Sequence, residues 1–231
     1  MNKQTVDVLD FGSQYTQLIA RRIREQNVFS EILPHTITAD ELSKKNVPAI
    51  ILSGGPSSVY DKNAPQVDPS ILSMGIPVLG ICYGLQLMIT QNGGNVTHKG
   101  QGEYGFAKMH TVNESPLLTN LANESQVWMS HGDEIDSLGN GFELIAQSSN
   151  DVIAAIHHKD QPLYGVQFHP EVIHTLEGET IISNFLFNIA QCTADWTAAN
   201  FISETISKIQ NITGDNGKVI TGLSGGVDSS V

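Results

Sequence analysis

A chain of 231 residues, with 40% hydrophobic, 16% charged and 6% aromatic residues, can build one large domain or two small ones and is too apolar for disorder. Twelve Lys and Arg against 24 Asp and Glu leave a formal net charge of -12, which repels a nucleic-acid backbone, although helix N-termini can still hold small anions. No window approaches the roughly 18 apolar residues of a membrane span, the N-terminus lacks a signal-peptide core, and two cysteines make no disulfide framework, so a cytoplasmic protein is expected.

Residues 6–9 read as a buried strand, and the string Asp10-Phe11-Gly12-Ser13-Gln14 follows it. Tyr15, Leu18, Ile19, Arg22 and Ile23 then recur at a helical period, with Ser13 as the expected cap. Residues 49–52 form the next strand, ending in Ser53-Gly54-Gly55-Pro56, and 78–81 another, ending at Cys82. A helix over Leu85, Leu87, Met88 and Ile89 stops at Asn92-Gly93-Gly94. Apolar strands alternating with helices predict a parallel sheet covered on both faces, with ligands collecting beyond the strands' carboxyl ends.

From about residue 105 the pattern changes. Strands at 105–112, 125–130, 142–147, 152–157 and 163–168, separated by Asn, Gly, Ser and Asp, predict a mixed or antiparallel extension. The fold class is thus α/β, three layers around a mostly parallel sheet with that extension. Helix 181–191, linker 192–195, helix 196–209, polar loop 211–217 and strand 218–223 complete the reading, and the chain divides into a domain at 5–193 and a second segment at 194–231.

Gly80-Ile81-Cys82-Tyr83-Gly84 places a thiol on a sharp strand-to-helix turn, where flanking glycines permit the bend and the helix dipole favours a thiolate over the free thiol pKa of about 8.5. Gln167-Phe168-His169-Pro170-Glu171 follows another strand. Glu171 can accept from one imidazole nitrogen of His169 while the other faces Cys82. His110, His157, His158 and His174 read as surface or satisfied residues. Gly55 and Tyr83 can each offer an N–H to an oxyanion. Read from the residues alone, this is a cysteine hydrolase such as a peptidase or γ-glutamyl hydrolase, an amidase, or a non-catalytic module that keeps such a fold.

The strings LSGGP (52–56), GICYG (80–84) and FHPE (168–171), in this order and spacing, resemble the class I, triad-type glutamine amidotransferases over residues 5–193. The resemblance implies a flavodoxin-like sheet, Cys82 as nucleophile, His169 as general base and acid, Glu171 as orienting carboxylate, and Gly55 with Tyr83 as oxyanion hole. It also implies glutamine contacts at Gln86, Ser130, His131 and Gly132, and a glutaminase site free of metal.

Downstream, Ser224, Gly225, Gly226, Val227, Asp228, Ser229 and Ser230 follow a predicted strand. Their glycines and hydroxyls suit an anion nest for pyrophosphate, without the Gly-Lys-Ser/Thr of a Walker A loop. The string resembles the PP-loop of ATP pyrophosphatases. A triad glutaminase joined to a PP-loop, with the 10–14 string at its start, resembles the ligases that aminate xanthosine monophosphate (XMP). That resemblance implies glutamine, ATP and XMP as substrates, Mg2+ beside ATP, and a homodimeric intact enzyme.

Overall fold

The computed structural model describes residues 4–214, 217, 218 and 220, with the backbone alone at 99–101 and 204. Near the N-terminus the chain alternates strand and helix: β1 Val6–Asp10, α1 Thr16–Glu25, β2 Ser30–Pro34, α2 Ala39–Ser43, β3 Ile50–Leu52, β4 Val78–Ile81 and α3 Tyr83–Gln91. Then come β5 Asn95–Thr111, β6 Glu124–Ser137, β7 Phe142–Ser148, β8 Ile153–His158 and β9 Leu163–Val166, followed by α4 Gly178–Ser183 and α5 Ala198–Thr213. The strands form one sheet in the order β2-β1-β3-β4-β9-β8-β7-β5-β6. Pairing is parallel from β2 to β9 and antiparallel from β9 to β6, the mixed sheet that the sequence predicts.

Two-residue periodicity splits the core between the faces. Val8, Ile51, Leu79 and Ile81 pack with Ile19 and Ile23 of α1 and with Ile181 and Ile182 of α4. Leu9, Ile50, Leu52 and Val78 pack on the other face with Leu42 of α2 and with Leu85, Met88 and Ile89 of α3. Strands buried on both sides read as unbroken apolar runs, which is why β1, β3 and β4 stand out in the sequence.

Several boundaries differ from expectation. Helix α1 starts at Thr16 behind Tyr15, and Ser13 does not cap it; its hydroxyl instead accepts the Tyr15 N–H at 3.0 Å in a turn. β2 and α2 have no counterpart in the reading above, because Ser-Glu-Ile-Leu-Pro is polar at one end and broken by proline at the other. β5 and β6 are far longer than 105–112 and 125–130. The helix expected at 181–191 is α-helical only to Ser183 and continues as π-turns over Asn184–Ile189. Buried Asn184 donates its amide to the Leu117 and Thr119 carbonyls at 3.1 and 2.7 Å, anchoring the place where the ladder changes pitch.

The chain resolves into two compact units that part between Asp195 and Trp196. In the second, Thr197 caps α5 by accepting the Asn200 N–H, and the helix continues to Thr213 through part of the expected 211–217 loop. The 218–223 strand falls largely outside the described residues, and Ser224–Ser230 entirely so. Among the described residues no helix is long and apolar enough to cross a membrane, and no cluster of three His, Cys, Asp or Glu could hold a metal.

On β1, fully buried Asp7 pairs with Lys45 at 2.7 Å, and Lys45 also reaches Glu31 at 3.0 Å. Burial, against the pull of Lys45, pushes the Asp7 carboxyl up to about 6. A carboxyl whose folded pKa exceeds its ordinary value costs the folded state stability as pH rises from about 4 through 6. Lys45→Met is therefore expected to cost roughly 3 kcal/mol at pH 8 and clearly less at pH 5, where Asp7 takes a proton. Urea midpoints at the two pH values check this.

Candidate active site

β4 runs directly into Cys82, which has φ 51° and ψ -105°, before α3 begins. Such a positive φ is costly for a residue with a Cβ, and the neighbouring glycines hold it in place. A Cβ on Gly80 would come 2.7 Å from the Leu85 nitrogen, and one on Gly84 would collide with the Leu52 carbonyl. The Cys82 N–H is tied to the Val166 carbonyl of β9 at 2.8 Å. The thiol is thus held at the junction of two adjacent parallel strands.

β9 leads into Gln167-Phe168-His169. The His169 N–H donates to the Trp128 carbonyl at 3.0 Å, and its own carbonyl accepts from Thr175 Oγ1 at 2.6 Å. Its ring shares the space beside Gly54 with the Cys82 side chain, and Nδ1 lies 2.7 Å from Glu171 Oε1. Glu171 is completely buried. Its backbone carbonyl accepts from Arg22 Nε at 2.9 Å, and a side chain on Gly178 would strike Pro170, so the whole turn is pinned from behind.

Burial acts to lower the His169 pKa, but the hydrogen bonds and charges of Cys82 and Glu171 outweigh it and carry the imidazolium up to about 10. A histidine raised above its ordinary 6.5 contributes stability that is complete below pH 6.5 and lost as pH climbs through about 10. Unfolding free energy, measured in urea between pH 7 and pH 10.5, is expected to fall across that window.

A cavity of about 700 Å³ opens over the thiol. Cys82, His169, Gln86, Gly55, Ser130, His131 and Gly132 all line it, so seven of the residues singled out from the sequence share one space. Tyr83, the other residue expected at the oxyanion, is buried and does not line the cavity. Its phenol turns away to the Pro65 carbonyl at 2.7 Å, and burial, with Asp61 nearby, pushes it up to about 12. The N–H groups of Gly55 and Tyr83 donate to no protein acceptor among the described residues. A Cβ on Gly55 would sit 2.7 Å from the Phe11 carbonyl, so only glycine lets this strand end approach β1.

Gln86, buried on α3, donates to the Asp133 carbonyl at 2.9 Å and to Gln167 Oε1 at 3.3 Å. Gln167 in turn donates to Cys82 Sγ at 3.7 Å, and the Ser130 carbonyl accepts from the same sulfur at 3.7 Å. Sequence reasoning missed Gln167, whose strand-end place beside His169 was its one signal. It also missed Ser53, whose hydroxyl accepts the Phe11 N–H at 3.0 Å, and Tyr15, whose ring stands edge-on to His169 at 5.1 Å. Three of the histidines set aside are engaged elsewhere: His157 with Ser115 and Glu143, His158 with the backbone of Asp160 and Gln161, and His174 against Trp128.

The glutamine amidotransferase class-I family model matches residues 7–189. The chain is 50% identical over 230 residues to the GMP synthase [glutamine-hydrolyzing] of Thermosynechococcus vestitus, covering 100% of this chain and 43% of that protein. It is 51% identical over 227 residues to the protein of the same name from Synechocystis sp., covering 98% and 42%. The chain therefore spans less than half the length of these curated relatives. Among solved structures, a Thermoplasma acidophilum protein, provisionally named as part of a GMP synthase, superposes with a TM-score of 0.74 at 29% identity, over 89% of this chain and 99% of that one. A glutamine amidotransferase from Thermotoga maritima, at 17% identity and a TM-score of 0.64 over 83% and 99%, shares the fold.

Proposed function

The chain belongs to the class-I glutamine amidotransferase family, and from that membership we propose that Cys82, His169 and Glu171 hydrolyse glutamine to glutamate and ammonia. The observation that carries this is a thiol on a positive-φ elbow that lines one cavity of about 700 Å³ together with an imidazole held at 2.7 Å by a buried carboxylate. Cys82 sulfur attacks the side-chain amide carbon, and the C–N bond breaks as the His169 imidazolium gives its proton to the departing ammonia. Water, deprotonated by the same imidazole, then cleaves the thioester and releases glutamate. Gly55 and Tyr83 N–H groups receive the oxyanion in both steps, and losing one such donor costs about 10²–10³ in rate. Gln86, Ser130, His131 and Gly132 hold the substrate.

The name shared by the cyanobacterial relatives supports a destination for the ammonia: amination of XMP to GMP by a longer protein that includes this chain. In that protein we assign residues 5–193 to the glutaminase domain and 194–231 to the start of the ATP pyrophosphatase domain, whose Ser224–Ser230 loop takes ATP with Mg2+. The intact enzyme is a cytoplasmic homodimer in this reading; two free thiols are in keeping with a reducing compartment.

The test is to incubate the protein with glutamine and measure glutamate and ammonia, with a diazoketone analogue of glutamine as a label. Stoichiometric labelling of Cys82 and release of both products are expected. Turnover of peptides or γ-glutamyl chains in preference to free glutamine would sink the assignment.

A further inference from the structure

The Ser130–Asp133 segment of β6 lines the same cavity as Cys82, and behind it lies a carboxylate, Glu103, to which the chemistry above gives no part. β5 and β6 change register there: His98 pairs with Asp133 and Glu103 with His131, so residues 99–102 stand against Gly132 alone. This bulge carries Glu103 behind His131. A side chain on Gly102 would collide with the His131 carbonyl, so the two strands are in close contact at this point.

His131 Nδ1 lies 3.0 Å from the Asp133 carbonyl. A carbonyl only accepts, so Nδ1 carries the hydrogen and Nε2 presents a lone pair unless the ring is charged. Nε2 faces Glu103 Oε2 at 3.5 Å, the two side chains being 1% and 10% exposed. Neither atom has a hydrogen-bond partner among the described residues. Without a proton between them, two lone pairs confront each other in a poorly solvated space; with one, they attract. Nor can the carboxylate swing away, because its Oε1 accepts from Ser148 Oγ at 3.1 Å and Asn150 Nδ2 at 2.6 Å.

The Asp133 carbonyl held by His131 is also the acceptor for Gln86, which touches Gln167, which donates to Cys82. We propose that Glu103 is a positioning residue for glutamine turnover: it shares one proton with His131 and so fixes the Ser130–Asp133 wall against which substrate is held over Cys82. The proposal rests on the glutaminase reading above. Burial drives the imidazolium down while the carboxylates of Glu103 and Glu134 and the Asp133 carbonyl pull it up; the Asp133 carboxylate itself is turned to His98 at 3.0 Å. Burial wins and holds the ring below its ordinary 6.5, so the shared proton departs on the acid side of neutrality as pH rises, and the wall loosens.

The experiment measures glutamine KM and kcat against pH for wild type, Glu103→Ala and Glu103→Gln in the intact protein, with iodoacetamide alkylation of Cys82 as control. Loss of one charge-assisted hydrogen bond should raise KM in Glu103→Ala about tenfold, with kcat and alkylation rate within about threefold of wild type. The amide of Glu103→Gln can donate to Nε2 with no proton to lose, so this variant should keep the KM that wild type has at acid pH and lack the rise in KM that wild type shows as pH climbs from acid to neutral. A KM in Glu103→Ala indistinguishable from wild type at acid pH, or a rise between acid and neutral pH that persists in Glu103→Gln, overturns the proposal. Should Glu103→Ala fail to fold, the isosteric variant decides alone through its pH profile. A wild-type protein that releases no glutamate overturns the glutaminase reading itself, whereas active wild type with unmoved variants overturns only the role of Glu103.

Discussion

Cys82→Ala is expected to abolish glutamine-dependent ammonia release, a loss of about 10⁴–10⁶ in kcat, because removing a covalent nucleophile leaves the rest of the machinery nothing to assist. The fold should survive. The thiol contributes little volume, the residue is 5% exposed, and alanine at φ 51° is strained no more than cysteine. In the longer protein, synthesis driven by added ammonium salts should continue at its usual rate, since that route bypasses the thiol. Side-by-side assays with glutamine and with ammonium chloride separate the two activities. Retention of glutamine-driven turnover by this variant would move the nucleophile elsewhere.

Glu171→Gln should lower kcat by about 10²–10⁴ while leaving the protein folded, the pattern expected when an imidazole keeps its place but loses the charge that orients and stabilises its protonated form. Glu171 is wholly buried and pairs with the His169 imidazolium at 2.7 Å, so a neutral isostere takes the carboxylate counter-charge from a buried cation. Stability at neutral pH should therefore fall too, by about 3 kcal/mol. Glu171 is also one of the two groups that hold the His169 imidazolium up near 10. The loss of stability on the alkaline side should shift to lower pH in the variant, together with the histidine titration followed by NMR of a labelled imidazole ring. An unshifted titration would mean that Glu171 does not govern the imidazole charge.

What could be read from the sequence followed physical constraint. The elbow was legible because two glycines, each leaving no room for a Cβ, must flank a residue held at positive φ. The central parallel strands were legible because burial on both faces leaves no polar interruption. Glu171 showed itself by standing two residues beyond a histidine at a strand end. Other parts lay in contacts that no local pattern encodes. β2 and α2 are short and partly polar. The length of β5 is hidden by a bulge in which residues 99–102 oppose Gly132 alone, and the partnership of Glu103 with His131 exists only once that bulge has formed. Gln167 looks like an ordinary strand residue until Gln86, 81 positions away, is brought against it.

The strand order also bears on how the molecule is made. β9 is the last strand among the described residues yet takes a central place, between β4 and β8. Until it inserts, β4 and β8 each present an unpaired backbone edge, the kind of surface that invites association with other chains. The same insertion delivers the histidine to the sulfur. A nascent or misfolded chain lacking that last step is thus both the form most prone to aggregate and a form unable to release ammonia, so catalytic competence reports completed folding. Such late, long-range closure is slow by nature, and refolding yield should depend on how well β4 and β8 are shielded while they wait.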